Sequence, residues 1–196
     1  MSNMTSTRKE RDRAWRAGLA TIATLVIWAL DVGTGRAQDA QSARGKYLVT
    51  VAGCTDCHTP GHLLGKPDMT RFLGGSDVGF AIPGLGTFVG RNLTSDKETG
   101  LGSWTQDQIA TAFTTGVRPD GRVLAPVMPW AAYARLTKAD ALAIAAYLRS
   151  LPPVRHEVPG PFGPNEKVSV FVMDVLPADM HNSLLQHSTG TPSAAK

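Results

Sequence analysis

The sequence predicts a mainly α-helical domain, in which three to four short helices are joined by long Gly/Pro-rich loops and followed by a C-terminal extension. The chain has 196 residues, of which 42% are hydrophobic, and this suits one compact domain with a real core. Segments with helical periodicity are short, and residues 60–102 are rich in Gly and Pro without a sustained period. Strand signals are scarce, and the clearest is an edge strand at residues 168–172.

The first 37 residues have the order of a secretory signal peptide: a basic start, an apolar run and a small-residue cleavage site. The apolar run, residues 17–30, is 14 residues long, whereas a membrane-spanning helix needs about 20. We therefore expect cleavage near Ala37, a periplasmic mature chain that begins near Gln38, and no membrane span in that chain. An uncleaved N-terminal anchor is the alternative.

The charge balance excludes a nucleic-acid partner once the signal peptide is set aside. The full chain has 20 Lys and Arg against 16 Asp and Glu, a net charge of +4. Residues 1–37 hold six of the basic and three of the acidic side chains, so the mature chain has a net charge of only +1. No stripe of Lys and Arg remains that would bind phosphates.

Three segments of the mature chain carry helical signals: residues 42–52, 105–115 and 137–150. Thr105 starts the second with a capping-box pattern, and Thr137 caps the third. The apolar stripe of the third helix comprises Leu142, Ala145, Ala146 and Leu148. Because three short helices make a thin core for this length of chain, a large apolar cofactor would explain how the long loops are held.

Residues 54–58 read Cys-x-x-Cys-His, the attachment pattern of c-type haem. Cys54 and Cys57 lie about one turn of chain apart, so both thiols can bond to the vinyl groups of one haem. The adjacent His58 can then present a ring nitrogen to the iron. We therefore expect one covalent haem c.

Three other interpretations of the cysteine pair are weaker. A zinc site would need a second Cys pair or a closely spaced His pair, and the sequence has neither. A thioredoxin-type dithiol would need a surrounding βαβ pattern, and a plain disulfide would leave the adjacent histidine without a role. A thiol or metal module without haem remains the structural alternative.

Met128 is the best candidate for the sixth iron ligand. It follows His58 by 70 residues, which is far enough to reach the opposite haem face, and Pro126 and Pro129 stiffen its loop. A His/Met pair favours electron transfer, whereas an open distal site would indicate a haem c peroxidase or a gas-binding sensor. The other methionines of the mature chain, expected to fill core space, are Met69, Met173 and Met180. The other histidines, expected to be surface or structural, are His62, His156, His181 and His187.

From Ser42 to Val154 the chain resembles class I c-type cytochromes, and most of all the single-haem domains in cytochrome c subunits of membrane-bound alcohol and gluconate dehydrogenases. Besides the haem motif, the resemblance rests on Gly74-Gly75, Asn92-Leu93-Thr94, Thr99 to Thr105, Arg118 with Asp120-Gly121, Pro126-x-Met128-Pro129, and Tyr147 to Pro153. Those subunits usually carry three such domains, whereas this chain has one. Ser95 and Trp130 stand where that family usually has proline and tyrosine.

The resemblance implies the class I cytochrome c fold around one covalent haem. It implies that helix 42–52 crosses helix 138–150, with Tyr47 and Tyr147 near the crossing. It also implies that segment 60–102 wraps the proximal histidine, whose second N–H would be accepted by a backbone carbonyl, for which we name that of Pro83. The residues implied as neighbours of the haem or its propionates are Arg91, Asn92, Arg118 and Trp130.

We therefore predict an electron carrier rather than an enzyme: a periplasmic cytochrome c, or the cytochrome subunit of a dehydrogenase. Its donor would be a periplasmic dehydrogenase, and its acceptor a terminal oxidase or another cytochrome. The predicted organisation is a signal peptide over 1–37, a monohaem domain over 38–154 and an extension over 155–196. Residues 155–182 of this extension would be a docking arm, and the end from Ser183 a frayed tail.

Overall fold

The computed structural model describes residue 36 and residues 38–188. The apolar run of the predicted signal peptide, residue 37 and the last eight residues of the predicted tail lie outside this part of the chain. None of the helices within it has the length and the continuous apolar character needed to cross a membrane.

Six α-helices occur among the described residues, together with two short 3₁₀ turns at His62–Leu64 and Met69–Arg71. They confirm the mainly helical class, although α2, α4 and α6 were not among the predicted segments. In chain order they are α1 (38–51), α2 (Cys54–His58), α3 (Gln106–Thr115), α4 (Trp130–Tyr133), α5 (Lys138–Ser150) and α6 (Ala178–Ser188).

The predicted ends of α3 and α5 are confirmed, because each depends on local capping chemistry. Thr105 Oγ1 accepts a hydrogen bond from the Gln108 amide at 3.1 Å, and Gln108 Oε1 accepts one from the Thr105 amide at 2.9 Å. Thr137 Oγ1 accepts from the Asp140 amide at 3.1 Å. Each contact satisfies an N–H that the first helical turn would otherwise leave without a partner.

A three-stranded sheet of order β2-β1-β3 covers part of the segment expected to be loop. Strands β1 (Val78–Ile82) and β2 (Gly86–Val89) form an antiparallel hairpin, and β3 (Phe171–Met173) pairs with β1 in parallel. The predicted edge strand is therefore present but shifted toward the C-terminus. The hairpin escaped prediction because its glycines interrupt the alternation of apolar and polar residues by which strands are recognised.

The main hydrophobic core joins α1, α3 and α5. Its fully or nearly buried side chains are Val49, Leu73, Ile109, Ala110, Ala141, Ile144, Ala145, Leu148 and Leu151. Leu73 belongs to the loop after α2, so the core also fixes the chain that follows the Cys-x-x-Cys-His motif. A second, smaller cluster of Val89, Val158 and Phe162 lies between β2 and the C-terminal extension.

Helix α1 packs on α5 at Gly45, not at Tyr47. A Cβ placed on Gly45 would stand 1.9 Å from the carbonyl oxygen of Ala143 and 2.8 Å from Cβ of Tyr147. Tyr47 is 58% exposed, and the guanidinium of Arg44 lies 5.5 Å from its ring centroid. Tyr147 lies near the contact as the resemblance implied. Tyr47 follows Gly45 by two residues, but its side chain is exposed, and the close approach of the two backbones depends on the glycine.

The extension after residue 154 is largely structured. Val158 and Phe162 are buried, β3 joins the sheet, and α6 continues through Ser188, so the predicted fraying from Ser183 is wrong for the described residues. The first part of the predicted docking arm, through β3, instead packs against the rest of the domain. Several side chains on β3, on α6 and between them remain exposed, among them Phe171, Val175 and Met180.

We predict that Gly45→Ala destabilises the protein. Helix propensity alone would make this change stabilising by about 1 kcal/mol. Because the new methyl meets the Ala143 carbonyl, we expect instead a loss of about 2 kcal/mol in the free energy of unfolding, typical of overpacking. Denaturant unfolding followed by circular dichroism measures the difference. Lys46→Ala, an exposed neighbour on α1, is the control, and a stabilised Gly45→Ala would contradict this packing.

Candidate functional site

The two cysteines lie on the single-turn helix α2, which Gly53 starts in the left-handed conformation with a φ of 64°. Both thiols are partly buried and free, not joined as a disulfide. Burial raises the pKa of Cys54 to about 11 and also raises the pKa of Cys57. Reactive dithiols have lowered pKa values, so the environment does not favour a thioredoxin-type role. It offers two reduced thiols, one turn apart.

His58 ends α2, is 8% exposed, and is held through one ring nitrogen. Its Nδ1 lies 2.7 Å from the carbonyl oxygen of Arg91. A carbonyl can only accept, so Nδ1 carries the proton and Nε2 keeps its lone pair for a metal. Burial lowers the pKa of His58, which favours the neutral ring that metals bind.

The resemblance implied that the carbonyl of Pro83 would accept the ring N–H of His58, and this expectation is wrong. Pro83 is exposed in the turn between β1 and β2. The chain instead passes beneath α2 just after β2, where a Cβ on Gly90 would stand 1.6 Å from the carbonyl oxygen of Cys57. The missing side chain at Gly90 allows this approach and places the next carbonyl, that of Arg91, under the imidazole.

A second segment supports α2 from the other side. The amide of Gly75 donates to the carbonyl of His58 at 2.8 Å, and the amide of Ser76 donates to the carbonyl of Gly90 at 2.8 Å. The backbones at 74–76 and at 90–91 therefore bond to each other and to His58. We call these two backbone segments, 74–76 and 90–91, the cradle of His58. Because the cradle consists of backbone groups, its geometry depends on the fold more than on side-chain identity.

A cavity of about 830 Å³ opens beside His58, within the range of cofactor sites. Six of the predicted site residues line it: Cys57, His58, Arg91, Asn92, Arg118 and Met128. Much of the remaining wall is apolar and includes Phe80, Phe88, Leu101, Trp104, Ile109 and Phe113. An imidazole, a thioether and two thiols at or beside one large apolar cavity fit the covalent haem that the motif predicts.

Among the described residues, Met128 is the methionine that lines the cavity. Its amide donates to the carbonyl of Ala125 at 3.0 Å and its carbonyl accepts from the amide of Trp130 at 2.8 Å, so a turn holds its backbone. The expectation that Met69, Met173 and Met180 fill the core is wrong, because all three are exposed. They lie on a 3₁₀ turn, on β3 and on α6, at the surface.

Four arginines line the cavity. Arg155 pairs with Glu98 at 2.6 Å, whereas Arg91, Arg118 and Arg122 form one group. Arg118 lies 5.2 Å from the ring centroid of Trp104 and pairs with Asp120 at 3.2 Å. Its Nε is buried and has no hydrogen-bond partner among the described residues. Burial, and then mutual repulsion within this group, lower the pKa of Arg91 and of Arg122. The excess of positive charge favours an anionic group in the cavity.

Trp104 and Arg122 were not singled out as site residues from the sequence. Trp104 already belonged to a motif of the resemblance, so that motif could have identified it. Arg122 follows the Asp120-Gly121 turn, which places it beside Arg118, and only the fold brings the two beside Arg91.

Asn92 and Trp130 have mainly structural contacts. The Asn92 amide donates to Thr99 Oγ1 at 3.0 Å and to the carbonyl of Val154 at 2.7 Å, while its oxygen accepts from the amide of Thr94 at 2.9 Å. Trp130 lies outside the cavity lining and packs on Gly116, where a Cβ would stand 2.7 Å from the indole. Cys54 also lies outside that lining and packs against the main core.

Comparison with known proteins finds a matching family and several relatives. The Cytochrome c family model matches residues 42–152. The cytochrome c subunit of the quinone alcohol dehydrogenase of Gluconobacter oxydans (strain 621H) is 33% identical over 135 residues, 67% of this chain and 26% of that protein. The fructose dehydrogenase cytochrome subunit of Gluconobacter japonicus is 35% identical over 127 residues, 61% of this chain and 24% of that protein.

The gluconate 2-dehydrogenase cytochrome c subunit of Pantoea cypripedii is 34% identical over 132 residues, which cover 66% of this chain and 28% of that protein. The matched regions thus span about a quarter of the length of these relatives.

We predict that Asn92→Ala lowers the free energy of unfolding by about 3 kcal/mol, because it leaves several buried hydrogen-bonding groups without partners. Chemical denaturation followed by far-UV circular dichroism measures the loss. Asn165→Ala, at an exposed site, is the matched control and should change stability little. Equal stability of the two variants would show that the amide of Asn92 does not hold this loop.

Proposed function

The chain belongs to the cytochrome c family, and we propose that it carries electrons through one covalently attached haem c. The observation that carries the proposal is the arrangement around one cavity. His58 has Nδ1 engaged and Nε2 available, Met128 lines the same cavity, and the two free cysteines lie on the same helix, α2, as His58.

Each residue of the haem site has a separate role. Cys54 and Cys57 would hold the haem through their thiols, and His58 Nε2 and the Met128 sulfur would bind its iron. When bound, the haem supplies a one-electron redox centre. The protein sets its potential through ligand identity, burial and hydrogen bonding, and a His/Met pair raises it. Because His58 and Met128 would both bind the iron, electron transfer is favoured over a peroxidase or a gas sensor.

The arginines would balance the two propionate groups of the haem. Arg118 has an unpartnered buried Nε and Arg122 adds a second charge, so we assign the propionates to this pair. Arg91 contributes charge, but its Nη1 is occupied by backbone carbonyls. Asn92 would support the wall of the site through the loop that it ties together. We assign no haem contact to Trp130 or to Pro83.

We further propose that the partners are proteins of a dehydrogenase system. The similar proteins are named as cytochrome subunits of alcohol, fructose and gluconate dehydrogenases. A periplasmic dehydrogenase would donate electrons, and a terminal oxidase or another cytochrome would accept them. The N-terminal basic and apolar pattern supports export to the periplasm with cleavage near Ala37, and haem attachment of this type follows export.

We predict that Met128→Ala lowers the reduction potential and opens the iron to added imidazole or cyanide, because the thioether ligand is lost. Potentiometric titration and ligand-binding spectra measure both effects. Met69→Ala is the matched control, because Met69 is 62% exposed and does not line the cavity. If Met128→Ala had the wild-type potential and bound no added ligand, the assignment of Met128 would be overturned.

We also predict that the native protein, purified through an affinity tag from its source cells, retains a dehydrogenase. Its haem should then be reduced by one of a panel of alcohols, sugars and sugar acids, as seen in the visible spectrum. Removal of the bound partner by salt should abolish this reduction while leaving reduction by dithionite intact. A haem that only dithionite reduces, with no protein bound, would contradict the proposed donor.

A further inference from the structure

Residues 155–162, which we name the strap, lie beyond residue 152, the last residue matched by the family model. Both of its ends are tied to the chain around β2 and Arg91. Just before the strap, the carbonyl of Val154 accepts from Asn92 at 2.7 Å. At its end, Phe162 and Thr87 exchange two backbone hydrogen bonds of 2.9 Å. Between these ties, Val158 is only 4% exposed and packs with Val89.

Arg91 joins the strap to the site. Its Nη1 donates to the carbonyls of Val158, Pro159 and Gly160 at 2.5, 3.2 and 3.0 Å. The guanidinium is partly buried beside two other arginines, so it needs acceptors to offset the lost hydration and the repulsion. Three successive carbonyls of the strap provide them.

The same residue holds His58 through its backbone, because the carbonyl of Arg91 accepts the Nδ1 proton. The strap also contacts residues 74–76, the other backbone segment that bonds to His58. His156 Nδ1 lies 2.7 Å from the carbonyl of Gly74, and Val158 covers Gly75, whose Cβ would stand 2.2 Å from the valine methyl. Both backbone segments that bond to His58 therefore rest on residues 156–160.

We propose that the strap, acting through Arg91, is a positioning element for His58 and thereby sets the potential of the haem. By holding the Arg91 carbonyl at hydrogen-bond distance, it strengthens the bond from Nδ1–H. A stronger bond makes the imidazole a more basic ligand and favours the oxidised iron. This inference rests on the proposed function, since it assigns His58 to the iron.

The test compares Arg91→Lys with Arg122→Gln in the haem-loaded protein. Arg91→Lys keeps the charge but cannot reach all three carbonyls, so the potential should rise. Exchange of the His58 Nδ1 proton, followed by NMR of the reduced protein, should accelerate about tenfold, which corresponds to about 1.4 kcal/mol of lost protection. Arg122→Gln removes a cavity charge without touching the strap, so the potential should fall while proton exchange stays at the wild-type rate.

Val158→Ala provides a second route if Arg91→Lys does not fold. It withdraws the strap from Gly75 without changing charge, and the potential and the exchange rate should both rise, by less than in Arg91→Lys. Wild-type potential and exchange in the folded variants would overturn the positioning role. Failure of the proposed function would look different, because the wild-type protein itself would lack a covalent haem spectrum.

Discussion

The site depends on one close approach of the backbone, at the point where Gly90 and Arg91 pass beneath α2. Gly90 has no side chain to separate it from the carbonyl of Cys57, so the Arg91 carbonyl reaches Nδ1 of His58 at 2.7 Å. That single acceptor decides which ring nitrogen is protonated and leaves the lone pair of Nε2 available for the proposed haem iron. The hairpin, the segment at 74–76 and the strap all serve to hold this stretch of chain in place.

The features that could be predicted from the sequence are those that local chemistry decides. The caps at Thr105 and Thr137 need only residues three positions away, and both are present. The Cys-x-x-Cys-His motif places two thiols and an imidazole on one turn of helix, whatever the rest of the chain does. Met128 could be selected as the candidate iron ligand because prolines stiffen its loop, and in the structure it lines the cavity.

The features that could not be predicted depend on the close approach of segments that are far apart in the sequence. The acceptor for the His58 ring N–H is decided by which segment of the chain passes under α2, so the resemblance pointed to Pro83 rather than to Arg91. The contact of α1 with α5 requires the absence of a side chain at Gly45, which hydrophobic periodicity does not register. The strap has no periodicity, and its anchors are backbone carbonyls that residue identity does not disclose.

The central claim is that His58 and Met128 ligate one covalent haem in an electron carrier. The optical spectrum of the oxidised wild-type protein tests this most directly, since sulfur coordination to ferric haem produces a weak charge-transfer band at the red end. We expect that band at neutral pH, its loss in Met128→Ala, and a haem that stays attached through denaturing electrophoresis. A wild-type ferric spectrum without the band, or a haem released on denaturation, would contradict the account.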